Sequence, residues 1–160
     1  MNNAIDECVA AAEKAAQHVA TPTLGAPPRR GLAVVMCMDA RIDPIRILGL
    51  RPGDAHILRN PGALVTDAEL RALAISQRKM GTTEVMVIHH TDCGAASLDE
   101  PALSAEIADD TGAAPPWDEL PYQTVAESVE RVRACEALPH RDNVRGFVFH
   151  VEDGKLVEVA

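Results

Sequence analysis

The sequence predicts a single doubly wound α/β domain. Four parallel strands and an antiparallel edge strand form its central sheet, and helices flank the sheet. Short apolar runs alternate with helical patterns along the chain, which is typical of successive β-α-β units. The 160 residues are enough for one hydrophobic core but not comfortably for two. Hydrophobic residues make up 47% of the chain, which is a globular composition.

The domain is predicted to span residues 1–160, with an N-terminal helical arm at 1–20 and an α/β core at 31–160. In the arm, apolar side chains recur near helical spacing from Ile5 to Val19, which predicts an amphipathic helix. Prolines and glycines between the arm and the core indicate a connector.

Five strands are predicted from apolar runs bounded by turn residues. They cover residues 31–38, 55–58, 84–90, 144–151 and 156–159. The last two are joined by Asp153 and Gly154, and Asp-Gly is typical of a two-residue hairpin turn. The segment 59–62 is predicted to be a loop because Pro61 cannot extend a central strand.

Helices are predicted between the strands. Thr66 and Glu69 have the spacing of a capping box, and Gly81 is a typical stop for the helix that they open. The predicted helices cover residues 43–48, 66–80, 101–110 and 118–138. Residues 94–97 are predicted to begin a further helix. The last helix is the longest, because apolar residues recur at near-heptad spacing from Val125 to Cys135.

The charge and the apolar runs exclude several classes of partner. The net charge of -9 argues against nucleic acids and anionic membranes, which both require a basic surface. No apolar run approaches the roughly 20 residues that cross a bilayer. The N-terminus also lacks the basic start and apolar centre of a signal peptide. We therefore expect a cytoplasmic protein.

The four cysteines do not form the disulfide framework of a small secreted protein. Cys8 and Cys135 fall in predicted helices, where we expect them to act as small buried hydrophobic residues. Cys37 and Cys93 instead lie at the ends of predicted strands, and in a reducing cytosol they are better suited to bind a metal ion.

Two strand ends carry metal-binding side chains. Cys37 ends the first strand, and the third strand is followed by His90 and Cys93. The carboxyl ends of neighbouring parallel strands meet at one edge of a sheet, so these three residues can converge. Two thiolates and one imidazole are ligands that zinc prefers, and three protein ligands leave a fourth position open for chemistry. The sequence predicts a Zn²⁺ site of Cys37, His90 and Cys93.

Asp39 and Arg41 follow Cys37 at alternate positions, so an extended backbone places all three on one face. An Asp-Arg ion pair has a specific geometry and keeps the carboxylate ionised. Asp39 would then accept a proton from a zinc-bound water, or itself take the fourth zinc position in a closed state. A salt bridge with a purely structural role is the alternative. His89 is predicted to face away from the metal.

These motifs resemble those of one known family. Cys-x-Asp-x-Arg at the end of one strand, with His-x-x-Cys-Gly after a later one, resembles the β-class carbonic anhydrases, and especially a short actinobacterial-type branch. The resemblance extends to Arg59 and Asn60 and covers residues 31–151. It implies zinc on Cys37, His90 and Cys93, with Asp39 and Arg41 as a gating catalytic pair.

The resemblance also implies a reaction and an assembly. The reaction is the reversible hydration of CO2 to bicarbonate and a proton by a zinc-bound hydroxide, with zinc as the sole cofactor. Family members form dimers by exchanging N-terminal helices, so a homodimer or homotetramer is implied here. A helical arm packed on its own subunit is the alternative.

Two departures from the family pattern affect these expectations. Ala40 stands where the family usually has serine, which removes one hydroxyl beside the Asp-Arg pair. The sole tryptophan, Trp117, lies far from the position where some members use one to build a non-catalytic bicarbonate pocket. That pocket favours the closed state, so we expect an open zinc site near neutral pH.

Three other functions compete with CO2 hydration. Hydrolysis of carbonyl sulfide or carbon disulfide would use the same zinc ligands with a different pocket lining. A non-enzymatic zinc or bicarbonate-sensing protein is less compatible with the Asp39 and Arg41 pair, because a structural zinc site prefers a fourth protein ligand. Thiol redox chemistry at Cys37 and Cys93 would require a reversible disulfide, and these residues lack the Cys-x-x-Cys spacing.

Overall fold

A computed structural model describes residues 3–16 and 24–160. The strands are β1 (Leu32–Cys37), β2 (Ala55–Asn60), β3 (Glu84–His90), β4 (Val144–Phe149) and β5 (Leu156–Glu158). They form one sheet in the order β2-β1-β3-β4-β5. The first four strands are parallel, and β5 runs antiparallel to β4. The predicted fold class is therefore confirmed.

The described residues also form five α-helices and two short 3₁₀ segments, which, apart from the N-terminal helix, lie between the strands. The α-helices are α1 (Ala4–Ala15), α2 (Pro44–Ile47), α3 (Asp67–Met80), α4 (Glu100–Thr111) and α5 (Val125–Ala134), and the 3₁₀ segments are Pro61–Ala63 and Gly94–Ser97. Thr66 and Glu69 form the predicted capping box of α3, and Gly81 ends that helix in a left-handed conformation. Thr124 and Glu127 cap α5 in the same way.

The sheet buries aliphatic side chains on both faces, as alternation along parallel strands requires. On one face, α3 and α5 pack over a cluster that includes Val35, Val87 and Val129. The other face holds Val34, Met36, Ile42, Ile88, Phe147 and Phe149. This second cluster is bordered by half-buried side chains, among them Leu32 and Met86.

Several predicted boundaries differ from the structure. Strand β2 runs on to Asn60, because Pro61 begins the next segment and leaves the strand ladder intact. Arg59 and Asn60, predicted to lie in a loop, therefore belong to β2 and pair beside the end of β1. The helix predicted over residues 118–138 is shorter, because the Thr124 cap starts α5 at Val125 and the helix ends at Ala134.

The cysteine prediction is also partly wrong. Cys8 is exposed on α1, and Cys135 is only half-buried, at the end of α5. No residue of α1 is buried within the described chain, which leaves an apolar strip of Ile5, Cys8 and Val9 exposed. Residues 17–20 of the predicted arm lie outside the described residues.

No helix within residues 3–16 and 24–160 is both long and apolar enough to cross a membrane.

Candidate metal centre

The pairing of β1 with β3 places their carboxyl ends side by side. Met36 is opposite Ile88 in the register; Cys37, one residue further, ends β1, and His90, two residues further, ends β3. Asp92 then adopts a left-handed backbone conformation with φ of 54°, which turns the chain sharply before Cys93. The sheet register and this turn together bring the three predicted ligands to one edge of the sheet.

Cys37, His90 and Cys93 form a compact cluster. One ligand atom from each lies within 4.8 Å of the others, and the Sγ atoms of Cys37 and Cys93 are 3.8 Å apart. Two zinc–sulfur bonds of about 2.3 Å at the tetrahedral angle span about 3.8 Å between the sulfurs. The spacing of the two thiols therefore suits a zinc ion.

The His90 ring has the orientation of a metal ligand. Its Nδ1 donates a hydrogen bond to the carbonyl oxygen of Thr91 at 2.9 Å. In the neutral ring, Nε2 then carries no proton, and its lone pair can bind a metal ion. This Nε2 is buried and has no hydrogen-bond partner among the described residues. A buried polar atom without a partner is costly, and a metal ion between Nε2 and the two thiolates would satisfy it.

The environment of the thiols also suits a cation. Burial raises the pKa of the Cys93 thiol, and the adjacent Cys37 contributes to the same shift. The backbone N–H of Gly62 donates to Cys37 Sγ at 3.4 Å. Two thiols at this distance resist ionising together, and a bound cation would stabilise both thiolates.

Asp39 and Arg41 form the predicted ion pair beside this cluster. Asp39 accepts four hydrogen bonds from Arg41, one from its backbone N–H and three from its guanidinium, with distances from 2.8 to 3.3 Å. These bonds hold the pKa of the Asp39 carboxyl well below its usual range. Asp39 is therefore ionised, and its Oδ2 lies 3.9 Å from His90 Nε2.

Two residues that the zinc argument did not use hold this pair in place. Asp92 accepts from Arg41 through its carboxylate at 2.7 Å and its carbonyl at 2.9 Å. Arg59 donates to the carbonyl oxygens of Cys37, at 2.9 Å, and Asp39, at 2.7 Å. Asp92 lies inside the His-x-x-Cys motif, but only the fold shows that it reaches Arg41.

The cluster opens into an apolar pocket of about 300 Å³, lined by Cys37, Met38, Asp39, Pro61, Cys93, Gly94, Ala95 and Leu98. Pro61, Ala95 and Leu98 also line a neighbouring pocket of about 490 Å³. Tyr122 also lines this neighbouring pocket. A small apolar molecule can therefore approach the thiols and Asp39 from solvent.

His89 is not among the three residues of the Cys37, His90 and Cys93 cluster. It is 4% exposed, and burial lowers its pKa to about 4, so the ring is neutral near pH 7. Its ring nitrogens lie 3.3 Å from the Tyr122 hydroxyl and 3.4 Å from the Ser128 hydroxyl. No motif in the sequence had marked Tyr122 or Ser128.

Comparison with known proteins decides the family. The family model described as carbonic anhydrase matches residues 32–135, which include all three predicted zinc ligands and the Asp39 and Arg41 pair. The chain belongs to the carbonic anhydrase family. Its relatives place it in the β class, and zinc is the metal of that class.

Three relatives illustrate this relationship. "Beta-carbonic anhydrase 1" of Mycobacterium tuberculosis is 43% identical over 137 residues, covering 83% of this chain and 84% of the relative. A crystal structure of carbonic anhydrase from Streptococcus mutans has a TM-score of 0.85 and 32% identity, with 100% of this chain and 99% of that chain covered. A carbon disulfide hydrolase of Acidithiobacillus thiooxidans is 32% identical over 158 residues, covering 83% of this chain and 79% of the relative. The mycobacterial relative agrees with the predicted actinobacterial-type branch.

Proposed function

We propose that this β-carbonic anhydrase family member catalyses the reversible hydration of CO2 to bicarbonate and a proton. One observation carries the proposal: the unpartnered His90 Nε2 faces two thiols at zinc spacing, with an ionised Asp39 3.9 Å away. A structural zinc site would prefer a fourth protein ligand, whereas this arrangement leaves room for a small molecule.

In this proposal Cys37, His90 and Cys93 hold zinc. Zinc, when bound, activates water near neutral pH for attack on the carbon of CO2. Asp39 is the catalytic carboxylate, because the Nε–H of Arg41 is shared between its two oxygens and a lone pair of Oδ2 can still accept a hydrogen bond from a water molecule in the pocket. Arg41 keeps Asp39 ionised and fixes its orientation. The apolar walls of the pocket admit CO2, which carries no charge.

The geometry supports an open site near neutral pH. To become a fourth zinc ligand in a closed state, Asp39 would have to give up hydrogen bonds from Arg41. Arg41 is itself held by Asp92, so rotation of this pair would break contacts on both sides. We propose that the Asp39-ligated state is the minor one at pH 7.

Stopped-flow hydration of CO2 by the zinc-loaded protein, followed from about pH 7 to pH 9, tests this function. We expect hydration throughout this range. Cys93→Ser should lose zinc and activity together, because it removes one of three ligands. Cys135→Ser is the matched control and should retain both, since Cys135 ends α5 and is not part of the cluster of Cys37, His90 and Cys93. A zinc-loaded wild-type protein without activity would contradict the proposal.

Carbon disulfide hydrolysis is the second candidate, because the Acidithiobacillus relative carries that name. Carbon disulfide and carbonyl sulfide are linear and uncharged like CO2, so the same metal centre and apolar pocket could bind them. Release of hydrogen sulfide from either compound, measured beside CO2 hydration, separates the two functions. Faster turnover of carbon disulfide or carbonyl sulfide than of CO2 would identify hydrolysis of that sulfur compound as the function.

We also propose a homodimer or homotetramer, in which the exposed apolar strip of α1 binds a partner copy. Together with Ala4 and Ala12, the strip of Ile5, Cys8 and Val9 lines a shallow groove of about 470 Å³. The cytoplasm is the compartment that best suits the protein, because reducing conditions keep Cys37 and Cys93 available to zinc.

A further inference from the structure

Tyr122 lies beside Gly62, the residue whose backbone N–H is hydrogen-bonded to Cys37. It lies in the segment before α5, and its ring packs against Gly62, where an added Cβ would be 3.0 Å from Tyr122 Cε2. Gly62, with φ of 78°, donates its backbone N–H to Cys37 Sγ at 3.4 Å. A side chain at position 62 would push the ring away, so the close contact depends on glycine.

The Tyr122 hydroxyl belongs to a chain of hydrogen bonds with a fixed direction. The backbone N–H of Val65 donates to Gln123 Oε1 at 3.0 Å, and Gln123 Nε2 donates to the Val65 carbonyl at 3.3 Å, which fixes the amide orientation. Ser128 must therefore donate to Gln123 Oε1, at 2.9 Å. Its oxygen can then accept from His89 Nε2, which leaves His89 Nδ1 to accept from the Tyr122 hydroxyl.

This chain anchors the Tyr122 ring in one position. His89 is 4% exposed and Ser128 is fully buried, so both partners are held by the core. The ring also meets His89 edge to face, with centroids 5.8 Å apart and an interplanar angle of 77°. The anchored ring lies beside Gly62, on the side where a Cβ would stand, and Cys37 Sγ accepts the N–H of the same residue.

We propose that Tyr122 is a positioning residue that holds the Gly62 N–H on Cys37 Sγ. This inference rests on the proposed zinc site, because Cys37 must be a thiolate ligand for the bond to matter. Hydrogen bonds to metal ligands fix the ligand's orientation and tune its donation to the metal. Tyr122 thereby sets the affinity of the site and the charge that the Cys37 sulfur donates.

Two readouts besides activity test this role in the full-length protein. Zinc affinity is measured by competition with a colorimetric chelator, and the thiolate-to-metal charge-transfer band is recorded after cobalt replaces zinc. Tyr122→Ala should weaken zinc binding about tenfold, which is typical when a residue that supports a metal ligand is removed. It should also shift the cobalt charge-transfer band. Tyr122→Phe keeps the ring beside Gly62 but removes the hydroxyl that anchors it, so its zinc affinity should lie between those of the wild type and Tyr122→Ala.

Trp117→Ala is the matched control, because Trp117 is an aromatic residue of the same connecting segment and is 57% exposed. It should change neither readout. Tyr122→Leu replaces Tyr122→Ala if the alanine variant does not fold. Unchanged affinity and spectrum in the folded Tyr122 variant would overturn this role and leave the proposed function standing. A wild-type protein that binds no zinc would overturn both.

Discussion

The Asp39 carboxylate lies close enough to the metal cluster to act on a bound water, yet Arg41 holds it away from the ligand atoms. Its Oδ2 is 3.9 Å from His90 Nε2, and the Asp39 side chain is 16% exposed to solvent. Because Arg41 keeps the pKa of Asp39 well below its usual range, this carboxylate remains ionised from pH 7 to pH 9. We therefore expect no change in the rate of CO2 hydration between pH 7 and pH 9 that is due to protonation of Asp39.

Asp39→Asn tests the role of this charge. We expect zinc content to stay unchanged, because Asp39 is not one of the three ligands, and CO2 hydration to fall by about 100-fold, a typical loss for a catalytic acid or base. Stopped-flow rates and metal analysis measure the two effects. Asp92→Asn is the matched control, since it removes another carboxylate that contacts Arg41 and should lower the rate only slightly. An active Asp39→Asn protein would rule out the proposed role.

Residue types explain why some site residues were predictable and others were not. Cysteine, histidine and the Asp-x-Arg pair carry specific chemistry, so their positions at strand ends were enough to predict the cluster that the structure brings together. Tyr122 reaches the site only because Gly62 and His89 lie beside it in the fold. A lone tyrosine in a connecting segment has no sequence pattern that predicts such contacts.

At the level of secondary structure, local signals determined where most elements lie, including the start of α5, where the apolar spacing alone was misleading. The capping box of Thr66 and Glu69 and the stop at Gly81 gave the limits of α3 correctly. The helix predicted from 118 to 138 extends beyond both ends of α5, because the apolar spacing from Val125 to Cys135 does not mark where a helix begins or ends. That spacing could not show that the Thr124 cap begins the helix at Val125.

Gly146 is where α5 packs most closely on the sheet. A Cβ at this position of β4 would lie 2.5 Å from Val125 Cγ1 and 2.9 Å from Val129 Cγ2. Gly146→Ala should therefore push α5 outward and lower the free energy of unfolding by about 1–3 kcal/mol, as overpacking of a core does. Urea denaturation measures this change.

Gly25→Ala provides the comparison, because its added Cβ would meet only Pro27 Cδ, at an ordinary 3.6 Å. Its unfolding free energy should stay within about 0.5 kcal/mol of the wild type. Equal stabilities of the Gly146 and Gly25 variants would show that α5 does not pack on β4 as closely as described.

For the whole molecule, the apolar surface left exposed is the main feature that a single chain does not explain. Ile5 is 74% exposed and Val9 is 53% exposed on α1, in a protein whose net charge of -9 otherwise favours solubility. Burying such a strip against another copy removes apolar area from water, which stabilises the assembly. The amphipathic spacing was visible in the sequence, but the exposure of the strip required the fold.

Val9→Glu tests whether this strip forms the interface between copies. A carboxylate on the apolar face would have to be buried in the assembly, so we expect the variant to dissociate into monomers at concentrations where the wild type is oligomeric. Sedimentation equilibrium measures the molar mass of each. Ala10→Glu adds the same charge to the neighbouring position on the opposite face of α1 and should leave the oligomer intact. A Val9→Glu protein that remains as oligomeric as Ala10→Glu would show that α1 does not bind the partner through this face.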